Sequence, residues 1–137
     1  MAGTIVQSVQ FDGDNWKCIK FACTADASAG TFPTVTLDSA IRTVIRDWGL
    51  YKFQVECGST APTVDSDFTL LDANGIDLLG GGGANKITTS DTEGYPVIGT
   101  QPVVQPVVSQ LSLVITQADA KTNSATFNIF LYFKKPV

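Results

Sequence analysis

Asp72, Asn74 and Asp77 stand close together, and oxygen donors at that density are the raw material of a calcium loop. An EF-hand does not fit, because Gly75 follows Asn74 too early and no glutamate closes the loop. Asp72 and Asn74 read more simply as turn formers, since their side chains bond local backbone. Gly80 to Gly83 followed by Lys86 suggests a phosphate cradle. That motif needs Gly directly before Lys, then Ser or Thr, between a strand and a helix. Here Ala84 and Asn85 intervene and Ile87 follows, so the glycines read as tight turns or points of close backbone approach. Asp65 with Asp67, and Asp91 with Glu93, are the candidate carboxylate pairs for glycoside cleavage, though both lie in loops without aromatic company. The chain has no histidine, which removes Ser-His-Asp and Cys-His catalysis. Its three cysteines, Cys18, Cys23 and Cys57, form neither a closed disulfide set nor a C-x-x-C pair and read as buried free thiols. Trp16 and Trp48 are candidate sugar platforms, or simply core. The expectation is a protein without catalytic residues, metal or cofactor.

The elements that must position these residues are strands. Ile5 to Phe11 reads as a first strand, with Asp12 to Asn15 turning into a second at Trp16–Thr24. Tyr51, Phe53, Val55 and Cys57 alternate with Lys52, Gln54 and Glu56, the mark of a half-buried strand. Phe68 to Leu71 and Ile76 to Leu79 flank Asn74-Gly75, a strong hairpin signal because both turn residues tolerate positive φ. Asp38 to Trp48 is ambiguous: Ile41, Val44, Ile45 and Trp48 fall at helical spacing, but the run is short and β-branched, which favours a strand or irregular structure. Residues 80–94 read as a long polar loop. Tyr95 to Val108 carries Pro96, Pro102 and Pro106, so it reads as an extended edge or an arm over the surface. Ser109–Thr116 and Ala125–Lys134 complete the set. In the last strand Phe127, Ile129, Leu131 and Phe133 face one way, while Phe130 and Tyr132 face the other. The second face therefore needs a cover, either the proline-rich arm or another subunit. About eight short strands imply an all-β fold, an antiparallel β-sandwich or jelly roll.

The length of 137 residues suits one domain spanning 1–137. Only 16% of residues are charged, a low share that suits packing against other subunits and equally an ordinary extracellular-type β-domain with a polar, uncharged surface. The net charge of −4 and the scattered lysines and arginines argue against a nucleic-acid partner. No apolar stretch is long enough for a membrane helix, and MAGTIVQSVQ lacks the features of a signal peptide, so synthesis in the cytoplasm is expected.

Residues 49–134 also resemble the small virion structural proteins of tailed bacteriophages. The resemblance is carried by Ala61, Pro62 and Thr63, then by Asp67, Phe68, Leu70, Asp72, Gly75, Asp77, Leu79, Gly80, Gly81, Ala84, Asn85 and Lys86. A proline-containing segment, the strand at Leu111–Thr116, a Lys121-Thr122 turn and a closing strand ending in Leu131-Tyr132 follow in the same order. The resemblance implies a virion protein made in the host cytoplasm, with no catalytic residues. It points to a capsid decoration (cement) protein, a homotrimer bound to the major capsid protein. Neck, tail or baseplate positions, and a carbohydrate-binding module, are the alternatives. The candidate interaction surface is Phe130, Tyr132, Pro102 and Pro106, with the segment Ala2–Thr4 touching the shell.

Overall fold

The computed structural model describes residues 3–62, 66–117 and 122–136. Among these the chain forms β1 (Thr4–Asp12), β2 (Trp16–Thr24), β3 (Val35–Thr36), the helix α1 (Ser39–Ile45), β4 (Gly49–Cys57) and β5 (Asp67–Leu71). There follow β6 (Thr92–Gly94), β7 (Val97–Ile98), β8 (Gln101–Pro102), β9 (Gln105–Pro106), β10 (Ser112–Thr116) and β11 (Thr126–Lys134). The large sheet runs β1-β2-β11-β4-β6, with β9 also on β4, and the small sheet runs β3-β10-β5. Every pairing is antiparallel. The expected all-β sandwich is therefore present, with eleven strands where about eight were expected. The surplus comes from β6 to β9, pieces of two or three residues in segments that read as loop and arm.

The core lies between the sheets. β11 buries Phe127, Ile129, Leu131 and Phe133, β2 buries Ile19, Phe21 and Cys23, and the small sheet answers with Phe68, Leu70 and Leu113. Phe53 meets Phe68 edge-on across the layers, ring centroids 5.0 Å apart, a favoured aromatic geometry. Period-two alternation produces this result directly, since each strand sends every second side chain inward.

The segment 38–48 departs from the reading as strand. Ser39–Ile45 is helical, with Ile41 and Ile45 buried and Val44 and Trp48 packed against the same core. β-branched residues cost a helix only about 0.7 kcal/mol each at most, whereas burying an isoleucine side chain returns roughly 1.5–3 kcal/mol. Packing decides the conformation. Asp47, at φ 65°, then turns the chain into β4.

The Asn74-Gly75 turn forms, with Gly75 at φ +79°, but Ile76 to Leu79 do not become a second strand. Only a bridge between Leu71 and Asp77 and the bonds from Asp72 N–H to Ile76 C=O (2.9 Å) and from Leu78 N–H to Leu70 C=O (2.7 Å) make up the pairing. Asp77 stops it. Its Oδ1 accepts the N–H of Leu70 (3.1 Å) and of Leu79 (3.0 Å), and its Oδ2 accepts that of Gly81 (2.9 Å). The chain then folds into consecutive tight turns through residue 84.

Two bulges shift the alternation. One lies between Val9 and Phe11, the other opposite Tyr132 and Phe133. The second places Leu50 in the core at the position alternation assigns to Tyr51, which stays half-buried. In the loop after β2, Asp26 is almost fully buried, and its carboxylate accepts the N–H of Ala29 (2.7 Å), the N–H of Ser28 (2.8 Å) and the Ser28 hydroxyl (2.9 Å). These donors hold its carboxyl well below the usual carboxylate range.

Candidate interaction surface

The outer face of the large sheet carries three cross-strand rows set by register. Phe11, Cys18, Tyr132 and Lys52 form the first, Ser8, Lys20, Phe130 and Gln54 the second, and Val6, Ala22, Asn128 and Glu56 the third. Aromatic rings dominate one end. Phe11 stacks on Trp16 with centroids 4.2 Å apart, and Trp16 lies 6.1 Å from Tyr132 at an interplanar angle of 29°. Lysines attend the rings: Lys52 Nζ is 5.6 Å from the Tyr132 centroid, Lys20 Nζ 5.9 Å from Phe130 and Lys134 Nζ 6.0 Å from Tyr51. At exposed sites each such contact contributes about 0.5–1 kcal/mol, and the lysine stems cover apolar surface.

Hydrogen bonds fix the rotamers. The Tyr132 hydroxyl donates to Gln54 Oε1 (2.6 Å), and Asn128 Nδ2 donates to Glu56 Oε1 (3.0 Å). Burial, with Cys18 beside it, pushes the Tyr132 phenol up, so it remains a neutral donor. A face of rings already held in one geometry loses little side-chain entropy when a partner covers it.

Phe130 and Tyr132 thus stand together on this face, and Phe130 also lines an open cleft with Gln54, Glu56, Asp91, Thr92 and Glu93. Pro106 and Pro102 lie elsewhere. Pro106 pairs with Gly49 on the far side of β4, in an apolar dip with Val104 and Pro136, and Pro102 pairs with Val97 in a separate ribbon. The proline-rich arm therefore forms an edge and leaves Phe130 and Tyr132 to their neighbouring lysines. Phe11 was not among the surface residues expected from sequence, and Trp16 was expected only as a sugar platform or as core. The bulge at Gln10 moves Phe11 onto the outer face, and a strict period of two gives no sign of it.

The other candidates resolve into structure. Asp72 Oδ1 accepts the N–H groups of Asn74 (2.9 Å) and Ile76 (3.0 Å), and Asp67 Oδ1 accepts that of Asn85 (2.7 Å). With Asp77 doing the same three times over, this acidic loop is a backbone brace. Asp91 accepts the N–H of Cys57 (2.9 Å), and Glu93 lies 3.5 Å from Lys52. Among the described residues no group of three His, Cys, Asp or Glu is placed to hold a metal ion. Asp65, Thr63, Lys121 and Ala2 lie outside the described residues. Burial pushes up all three thiols, most strongly Cys23, which keeps them protonated and poorly nucleophilic. Trp48 is half-buried against the core with Lys17 Nζ 4.4 Å from its ring, so it offers no free platform for a sugar. Among the described residues no helix is long and apolar enough to cross a membrane.

No family model and no curated protein matches the chain. Among solved structures, the capsid asymmetric unit of cyanophage Pam1 aligns at 10% identity and a TM-score of 0.45, covering 98% of this chain and 87% of that one. A cupin domain from Bordetella pertussis aligns at 10% identity and a TM-score of 0.35, covering 98% of both chains. At scores this low the functional reading rests on the chain's own residues.

Proposed function

We propose that this chain is a structural protein of a bacteriophage virion, acting by contact and without catalysis. The observation that carries this reading is the outer face of the large sheet, where Phe11, Trp16, Phe130 and Tyr132 are held in place by neighbouring side chains. Such a face suits burial against another protein, since aromatic side chains supply much of the binding energy at interfaces. The resemblance of residues 49–134 to phage virion proteins supplies the setting. Within the virion the reading we favour is a capsid decoration protein, a homotrimer that spans adjacent subunits of the major capsid protein and stabilises the shell by preferential binding to its assembled form.

Quantitative gels of purified virions test the position. Hundreds of copies per particle support decoration, and a few copies point instead to neck, tail or baseplate. Virions stripped of the protein should melt at lower temperature and recover on adding it back. Trp16→Ala with Tyr132→Ala should weaken rebinding at least about tenfold, as expected for loss of aromatic anchors. An unchanged melting point after stripping, or absence of the chain from purified particles, overturns the reading.

A further inference from the structure

The two edges of the large sheet are unlike. One ends in β6 and β9, strands of three and two residues with Pro106 on β9, a blunted edge of the kind that resists pairing with other chains. The other edge is β1, nine residues long, whose only strand partner among the described residues is β2. β1 contains no proline, and no charged side chain stands between Thr4 and Phe11. Its single charge, Asp12, is paired with Lys17 at 2.8 Å. Val6 is 61% exposed, Val9 39% and Phe11 43%. The bulge between Val9 and Phe11 breaks the edge near its end and leaves Thr4 to Val9 regular. The strand is also held in place from behind. Gln7 Nε2 donates to Thr36 C=O (2.9 Å), and Gln7 Oε1 accepts the Asp38 N–H (2.9 Å).

We infer that the β1 edge pairs antiparallel with β1 of a second copy of this chain, about a two-fold axis through Val6. An antiparallel edge is its own complement, because each unpaired N–H meets a C=O of the same strand in the copy. Centring the pair on Val6 keeps both inner faces on one side of the joined sheets. It sets Val6 against Val6 of the copy on the outer face, where directly opposed side chains touch. Charge allows the pairing: the two Asp12 residues then lie roughly 40 Å apart, several screening lengths at physiological salt. The contact is two-fold, so it doubles whatever assembly the chain otherwise forms. It requires no virion and stands or falls independently of the proposed function.

Light scattering on the purified full chain tests it. The wild type should have twice the mass of Val6→Lys and of Val6→Glu, with all three melting alike when dilute. Mixing the two variants should restore the doubled mass, because opposite charges then face each other across the axis. A wild type with the same mass as both variants overturns the inference, as does a doubled mass that persists in both. Should either variant fail to fold, hydrogen exchange on the wild type decides. Protection of Thr4–Ser8 amides that rises with protein concentration supports the pairing, and protection independent of concentration overturns it.

Discussion

Replacing Asp77 with alanine removes the acceptor for three backbone N–H groups at once. Hydrogen bonds to a charged group contribute roughly 1.5–3 kcal/mol each, so even partial rescue by water should leave Asp77→Ala about 3 kcal/mol less stable in urea titration. Two glycines separate two physical effects. At Gly83 an added Cβ would sit 2.2 Å from Phe68 C=O, so Gly83→Ala must move backbone. At Gly75 nothing stands within 4 Å, so Gly75→Ala meets only the positive-φ penalty, about 1–2 kcal/mol. Chemical denaturation should therefore rank Gly83→Ala as the more damaging. Asp26 predicts a pH effect. Its folded carboxyl titrates below the usual value, so its contribution is fully present above about pH 4 and fades as pH falls through the folded pKa. Asp26→Asn should flatten that acid limb of the stability curve. Of the carboxylates at 67, 72 and 77, only Asp72 was legible as a turn former. Their exact acceptor roles were not, because a side chain that bonds one backbone N–H and a side chain that bonds three look identical in sequence.

Packing overrides local preference in α1, and the override is measurable. Ile45 is fully buried, so Ile45→Ala should cost about 3 kcal/mol by thermal or urea unfolding. Thr43→Ala, on the exposed side of the same helix, should change stability by under about 0.5 kcal/mol. The strands at 16–24, 49–57 and 126–134 were legible because each buries one face and alternates. The helix was obscured by its own β-branched residues, whose penalty is visible locally while the compensating core contacts come from distant segments. Ile76 to Leu79 misled for the converse reason: the apolar run is real, but Asp77 diverts the N–H groups that a second strand would have used. The aromatic cluster of the outer face was half legible, Phe130 and Tyr132 from alternation, Phe11 hidden by a bulge that composition does not announce.

For the whole molecule, the small charge content has different consequences on its different surfaces. The β1 edge is uncharged, so association through it should change less than about twofold between low and moderate salt in sedimentation experiments. Binding through the outer face, where Lys20, Lys52 and Lys134 attend the rings, should weaken as salt rises if its partner is acidic. Titrating salt thus assigns a given contact to one surface or the other. Fold class was legible from periodicity over the full chain. The proposed function takes its virion setting from resemblance alone, since a surface that would work by contact has no fixed residue grammar.

One feature of the topology bears on biosynthesis. β11 is the last strand in the sequence and the middle strand of the large sheet, between β2 and β4. Until Lys134 has cleared the ribosome, two long strands made much earlier have no common neighbour, and the core lacks Phe127, Ile129, Leu131 and Phe133. Translation must therefore hold β2 and β4 without their shared partner until β11 emerges, and the large sheet is completed only then.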